Sequence, residues 1–106
     1  MSAEDEKLLT LARSARARIQ APQGAAVRDE SGRSYAAATV SLPSLQVAAL
    51  DLAVAQAVAA GARGLEAVAV VGGAAPPLEV VRDLGGPGVP VRHYDSRGEL
   101  VQELST

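Results

Sequence analysis

Residues 44–71, SLQVAALDLAVAQAVAAGARGLEAVAVV, decide the fold. Up to Ala60 nearly every position is Ala, Val or Leu, and the polar members Gln46, Asp51 and Gln56 stand five apart, so they form no single stripe. The reading is a helix over 44–60 with Ser44 as its cap and Gly61 as its stop. A helix apolar nearly all round is buried on several sides. Leu65 to Val71 then runs as an apolar segment rich in β-branched valine, broken only by Glu66, the pattern of a strand covered on both faces. A buried helix feeding a buried strand implies an α/β layer structure.

Working outward, residues 3–19 read as an amphipathic helix. Leu8, Ala12, Ala15 and Ile19 recur at helical spacing, and Ser2 is placed to cap it. Ala21-Pro22-Gln23-Gly24 ends that helix. Ala25 to Arg28 is a strand, Asp29-Glu30-Ser31-Gly32 a turn, and Arg33 to Val40 the return strand of a hairpin. Downstream, Gly72-Gly73-Ala74-Ala75-Pro76 is a loop and Pro77 opens a third helix through Leu84. Gly85-Gly86-Pro87-Gly88 breaks it, and Val89 to Tyr94 is a further strand. Residues 97–104 read as a short last helix with Leu100, Val101 and Leu104 on one face. The order α-β-β-α-β-α-β-α predicts a single domain over residues 1–106. Its expected fold is α/β, a three-layer αβα sandwich with a small mixed β-sheet, right-handed crossovers and an antiparallel hairpin at one edge.

Composition narrows the function. Hydrophobic residues are 48% of the chain, yet Phe, Trp and Cys are absent, and Tyr35 and Tyr94 are the only aromatics. Ala, Val and Leu must therefore pack the core, so its elements should approach closely. Without cysteine there is no disulfide and no thiolate metal site. A net charge of −2 gives no electrostatic footprint for nucleic acid. Arg13, Arg16 and Arg18 form the densest basic cluster. With no aromatics interleaved for stacking, it reads as a solvated helix face. No membrane association is expected: residues 47–60 come nearest to a span, but Asp51 and Gln56 interrupt them and they are too short. The acidic start, Glu4-Asp5-Glu6, is unlike a signal peptide, so a cytoplasmic location is expected.

Two smaller features carry little chemistry. His93 sits beside Asp95 and Ser96, but residues within one strand-turn stretch cannot converge as a triad, so it reads as structural. Gly72-Gly73 lies between a strand and a helix, as phosphate loops do. It lacks the spacing of either glycine-rich nucleotide motif and reads as a plain turn, with anion binding at the third helix's start as the alternative.

Three stretches, taken in order, resemble the cytidine deaminase family over most of residues 7–104. They are Gly24-Ala25-Ala26-Val27-Arg28 with its Ser31-Gly32 turn, residues 48–71, and residues 77–84, PLEVVRDL. The resemblance implies a zinc held by one Cys or His and two Cys, a metal-activated water, and a glutamate that shuttles protons. Carried over residue by residue, the first ligand position is Ala48 and the glutamate position is Leu50; the later ligand positions are Leu78 and Val81. None of these side chains can bind metal or carry a proton. The family's sugar-holding Asn-x-Glu falls on Thr39 and Ser41. Its aromatic segment ahead of the first strand is shortened to Ala21-Pro22-Gln23, and the Arg after its catalytic Glu is Asp51. Arg82, following the last ligand position, is retained.

The expectation is a pseudoenzyme: a non-catalytic cytidine deaminase-like protein with no cofactor and no zinc, its old site refilled with hydrocarbon. It would act as a homo-oligomeric binding or scaffolding module of unknown protein partner. The resemblance implies dimers or tetramers built on the second and third helices, and the all-round apolar helix 44–60 independently asks for a partner. The alternative is an enzyme with altered, zinc-independent chemistry in the old nucleoside cleft, using Arg82, His93 or carboxylates. A cleft with convergent polar groups favours the enzyme, an apolar plug the module.

Overall fold

Ser2 Oγ accepts the Asp5 N–H at 3.1 Å and so starts α1, Ala3–Arg18, in the computed structural model, which describes residues 2–106. The acidic first turn and the arginines of the last turn suit the two ends of the helix dipole. After it come β1 (Gly24–Asp29), β2 (Ser34–Ala38), β3 (Val40–Leu42), β4 (Leu45–Val47), α2 (Ala49–Ala59), β5 (Leu65–Val71), α3 (Glu79–Gly85), β6 (Pro90–Tyr94) and β7 (Leu100–Ser105). Among the described residues no helix is long and apolar enough to cross a membrane.

Five strands form one mixed sheet in the order β2-β1-β5-β6-β7. Only β5 and β6 run parallel; β1 pairs antiparallel with both β2 and β5, and β7 with β6. Alternation along the strands sorts side chains to two faces. Ala25 and Val27, with Val68, Val70 and Val91, face α2 and α3; Ala26, with Ala67, Ala69, Val71 and Tyr94, faces α1 through Leu8 and Ala12. The result is the expected three-layer αβα sandwich. Its layers are closely spaced. A Cβ on Gly24 of β1 would collide with the Ala12 carbonyl oxygen and lie 2.8 Å from Arg16 Cβ, so only glycine lets α1 settle there.

Three expected elements are different in the structure. The second helix does not begin at Ser44. Residues 40–47 fold instead as a separate two-stranded hairpin, with Val40 opposite Val47, Ser41 opposite Gln46 and Leu42 opposite Leu45. Pro43 and Ser44 are consumed in its turn, so α2 starts at Ala49 behind Ala48, which offers no side-chain cap. The third helix likewise starts two residues late, with Leu78 rather than Pro77 at its threshold.

The last helix, expected over 97–104, is the edge strand β7. The cause is turn chemistry that occurs twice in the chain. Asp29 Oδ1 accepts the Ser31 and Arg33 N–H groups at 2.9 and 3.0 Å, and Gly32 N–H donates to the Asp29 carbonyl. Asp95 Oδ1 accepts the Arg97 and Glu99 N–H groups at 2.9 and 3.0 Å, and Gly98 N–H donates to the Asp95 carbonyl. Both glycines have positive φ, 85° and 88°. Asp-x-x-Gly therefore reverses the chain in each case, and the residues after it return as a strand.

Asp29 is 2% exposed, and its Oδ2 also accepts the Tyr35 hydroxyl at 2.8 Å. Burial pushes this carboxyl up, but the Tyr35 and Ser31 donors and the Arg33 and Ser31 amides outweigh it and hold it below the usual range. A depressed carboxyl contributes stability above its unfolded value of about 3.9 and loses it as pH falls through the lower folded value. Thermal melts of the wild type should therefore decline as pH drops below about 4. Asp29→Asn should melt lower at pH 7 and show a shallower acid decline. Parallel acid limbs for the two proteins would show that Asp29 is not the group responsible.

Candidate functional site

The parallel strand β5 leads into Gly72-Gly73, with φ of 83° and 60°. Gln23 Nε2 donates to the Gly72 and Ala74 carbonyls, each at 2.8 Å. His93, 5% exposed, faces the Gly72 and Gly73 carbonyls through Nε2 at 3.1 and 3.0 Å. Carbonyls only accept, so Nε2 carries the proton. Nδ1 is buried and meets no hydrogen-bond partner among the described residues. His93 is a loop clamp, and the turn it holds leads through Pro76 and Pro77 to α3.

At the start of α3 the chain meets α2. Leu50 is 1% exposed and Val81 0%, and both belong to one apolar cluster with Ala53, Val54, Val68 and Val70. Leu78, half-buried, packs against the same cluster. Ala48 stays exposed at the threshold of α2. The structure thus brings Leu50, Leu78 and Val81 together and leaves Ala48 at their rim. Burying Leu50 and Val81 stabilises the fold by about 1.5–3 kcal/mol each.

The remaining sequence candidates lie apart. Thr39 Oγ1 donates to the Gln23 carbonyl at 3.2 Å, beside the Thr39 N–H at 3.1 Å on the same oxygen. Ser41 is exposed on β3, in the separate hairpin. Arg82 is exposed on α3 and lines a different hollow, with Leu78, Glu79 and the last two residues.

Beside the Leu50 plug, a groove of about 440 Å³ stays open between Ala48 and Leu50 on one side and Pro76 and Pro77 on the other. Its charged lining is Asp51, Glu79 and Asp83, all acidic. A neighbouring hollow of about 470 Å³ shares Asp51 and Asp83 and is otherwise apolar, formed by Val54, Ala55, Val58, Val80 and Leu84. Sequence reading missed this groove, because α2 and α3 are far apart in sequence and Asp51 carried no partner signal of its own.

Zinc needs nitrogen, oxygen or sulfur donors in tetrahedral reach. Ala48, Leu50, Leu78 and Val81 provide none, so these residues do not fit the metal. Among the described residues no cluster of three His, Cys, Asp or Glu side chains is placed to hold a metal ion.

The chain matches the family described as cytidine deaminase-like over residues 1–98. No curated protein matches it. Among solved structures, it is similar to a cytidine deaminase from Burkholderia pseudomallei, at 26% identity and a TM-score of 0.82, over 99% of this chain and 93% of that one. It is similar to a cytidine deaminase from Mycobacterium leprae at 22% identity, TM-score 0.75, over 98% and 94% of the two chains. A third, from Mycobacterium tuberculosis, gives 23% identity and a TM-score of 0.74 over 87% and 86%. The two mycobacterial likenesses establish fold alone.

The buried plug has a direct test in Leu50→Glu. The new carboxylate would sit without a cation, near a groove whose charged groups are all acidic. Burial and like charge both raise its folded pKa above the unfolded value of about 4.3. Stability is then intact at acid pH and is lost as pH rises from about 4.3 toward the raised folded value. The expected cost at pH 7 is about 3–5 kcal/mol, seen as a large drop in Tm that shrinks below pH 5. A near-wild-type melt at pH 7 would show that the position is hydrated.

Proposed function

Because the chain belongs to the cytidine deaminase-like family, we propose that it is a member without zinc-dependent deamination, acting as a homo-oligomeric binding or scaffolding module. The observation that carries this reading is the pair Leu50 and Val81, both fully buried in the core that joins α2 to α3. The resemblance puts a proton-shuttling glutamate and a metal ligand at these two positions. Hydrocarbon there, with Leu78 and Ala48 at the other ligand positions, leaves no group to activate water. What replaces the metal site is core, and the framework around it is intact.

The enzyme alternative draws on the carboxylates Asp51, Glu79 and Asp83 around the open groove. No histidine lines that groove, His93 Nε2 being committed to the Gly72 and Gly73 carbonyls. The groove thus offers acceptors but no paired acid and base of differing character, and the module reading is preferred.

Self-association is the second part of the proposal. Helix α2 uses Val54, 3% exposed, inside its own subunit, while Val58 stands 54% exposed beside the apolar hollow against α3. That exposed strip supports a dimer or tetramer built on α2 and α3, in place of the all-round interface expected for residues 44–60.

Two measurements test these statements. Protein purified in excess zinc and desalted should hold far less than one zinc per chain and should not turn over cytidine or deoxycytidine. Stoichiometric zinc with chelator-sensitive turnover would overturn the reading. Val58→Asp should shift the light-scattering mass toward the monomer while leaving the secondary structure unchanged, since Val58 is outside the core cluster. A wild type that is already monomeric at high concentration would defeat the oligomer.

A further inference from the structure

Arg13 is exposed and Arg16 half-buried near the end of α1. One turn apart on α1, they line a hollow of about 240 Å³ together with Ser14, Ala17, Val71 and Ser96. Val71 ends β5 and Ser96 follows β6, so the hollow opens at the carboxyl end of the one parallel strand pair. A Gly72 N–H to Tyr94 carbonyl bond of 2.9 Å ties those two strand ends together. Open α/β sheets bind ligands outside the carboxyl ends of their strands.

Both guanidiniums are seated by glycine. A Cβ on Gly72 would lie 2.9 Å from Arg16 Nε, and one on Gly98 would lie 2.9 Å from Arg13 Nη1. Each glycine is required by a positive φ, 83° and 88°, and its missing side chain lets a guanidinium lie against the backbone. Arg16 Nε also reaches the Pro22 carbonyl at 3.5 Å. Neither arginine forms an ion pair among the described residues, whereas Arg28, Arg92 and Arg97 all do. The carboxylate of Asp95, next to Ser96, is engaged by the Arg97 and Glu99 amides. The partial negative charge at the C-terminal end of α1 is about half a unit, well short of two full cations.

We propose that this hollow binds a phosphate group, carried by a small phosphate monoester or present as inorganic phosphate. Two guanidinium forks match the oxygens of a phosphate, and charge-assisted bonds of this kind are the strong ones. The hydroxyls of Ser14 and Ser96 line the same space and can donate to a remaining oxygen. The site is on the α1 face of the sheet, with the Leu50 plug on the other, so it stands independently of whether the family's chemistry has been lost.

The test is an amide-resolved NMR titration of the full chain with inorganic phosphate and with glycerol phosphate, ionic strength held constant with chloride. Saturable one-to-one shifts should concentrate at residues 13–17, 71–73 and 96–98. Arg13→Gln combined with Arg16→Gln should weaken binding by about tenfold or more, from the loss of charge-assisted hydrogen bonds. Arg18→Gln, outside the hollow, should leave affinity unchanged. Tighter binding of glycerol phosphate assigns the site to monoesters, and equal binding assigns it to phosphate itself. If the double variant does not fold, the exposed Arg13→Gln alone carries the same expectation. Shifts that never saturate, affinity retained in a folded Arg13 variant, or equal loss in Arg18→Gln would overturn the proposal.

Discussion

The distance between layers is the constraint on which the structure depends. With no phenylalanine or tryptophan to bridge a wide gap, each helix must come close to the sheet, and alanine and glycine make that possible. Ala12 over Gly24 sets the approach on the α1 side, where it shares a cluster with Ala26; on the α2 side Ala49, Ala53 and Ala57 share a cluster with Ala25. Larger residues then fill fixed gaps: Leu8 and Tyr94 under α1, Leu50 and Val81 where α2 meets α3. In interiors packed to crystal-like density, an added methylene forces a layer outward. A side chain added at Gly24 would meet the Ala12 carbonyl and the root of the Arg16 side chain, neither of which can swing away.

The same economy of space explains how the α2–α3 junction holds. A metal there would fasten two helix starts by coordination. Leu50 and Val81 fasten them by exclusion of water, with Leu78 closing one side. Neither helix start has a side-chain cap among the described residues. The acidic groove survives at its rim because Asp51, Glu79 and Asp83 remain hydrated there and have no reason to collapse inward.

Much of this was legible from the chain. α1 shows its cap and period, β5 its run of Val and Ala after Glu66, and the sandwich follows from their order. The meeting of Leu50, Leu78 and Val81 could be anticipated because they stand at short spacings at two helix starts. The hairpin of residues 40–47 was not legible, because its strands of three residues are too short to show alternation and its apolar character merged with that of α2. β7 was misread for a different reason. Leu100, Val101 and Leu104 fit a helical face as well as a strand, and Asp95 to Gly98 repeats the turn already recognised at Asp29 to Gly32. The arginine hollow could not be read at all, since it needs α1, the end of β5 and the Asp95 turn to meet in space.

The two tyrosines have an optical consequence. They are the chain's only strong ultraviolet chromophores, and they lie on opposite sides of the sheet. Tyr35 packs against the α2–α3 cluster with its phenol bonded to the Asp29 carboxylate, while Tyr94 belongs to the cluster under α1. A phenol bonded to a carboxylate emits weakly, because the acceptor draws off its excited-state proton. Emission gained as the Tyr35–Asp29 bond breaks should therefore report the α2–α3 side. With single tyrosine-to-phenylalanine replacements, the two layers could be watched separately as the molecule comes apart.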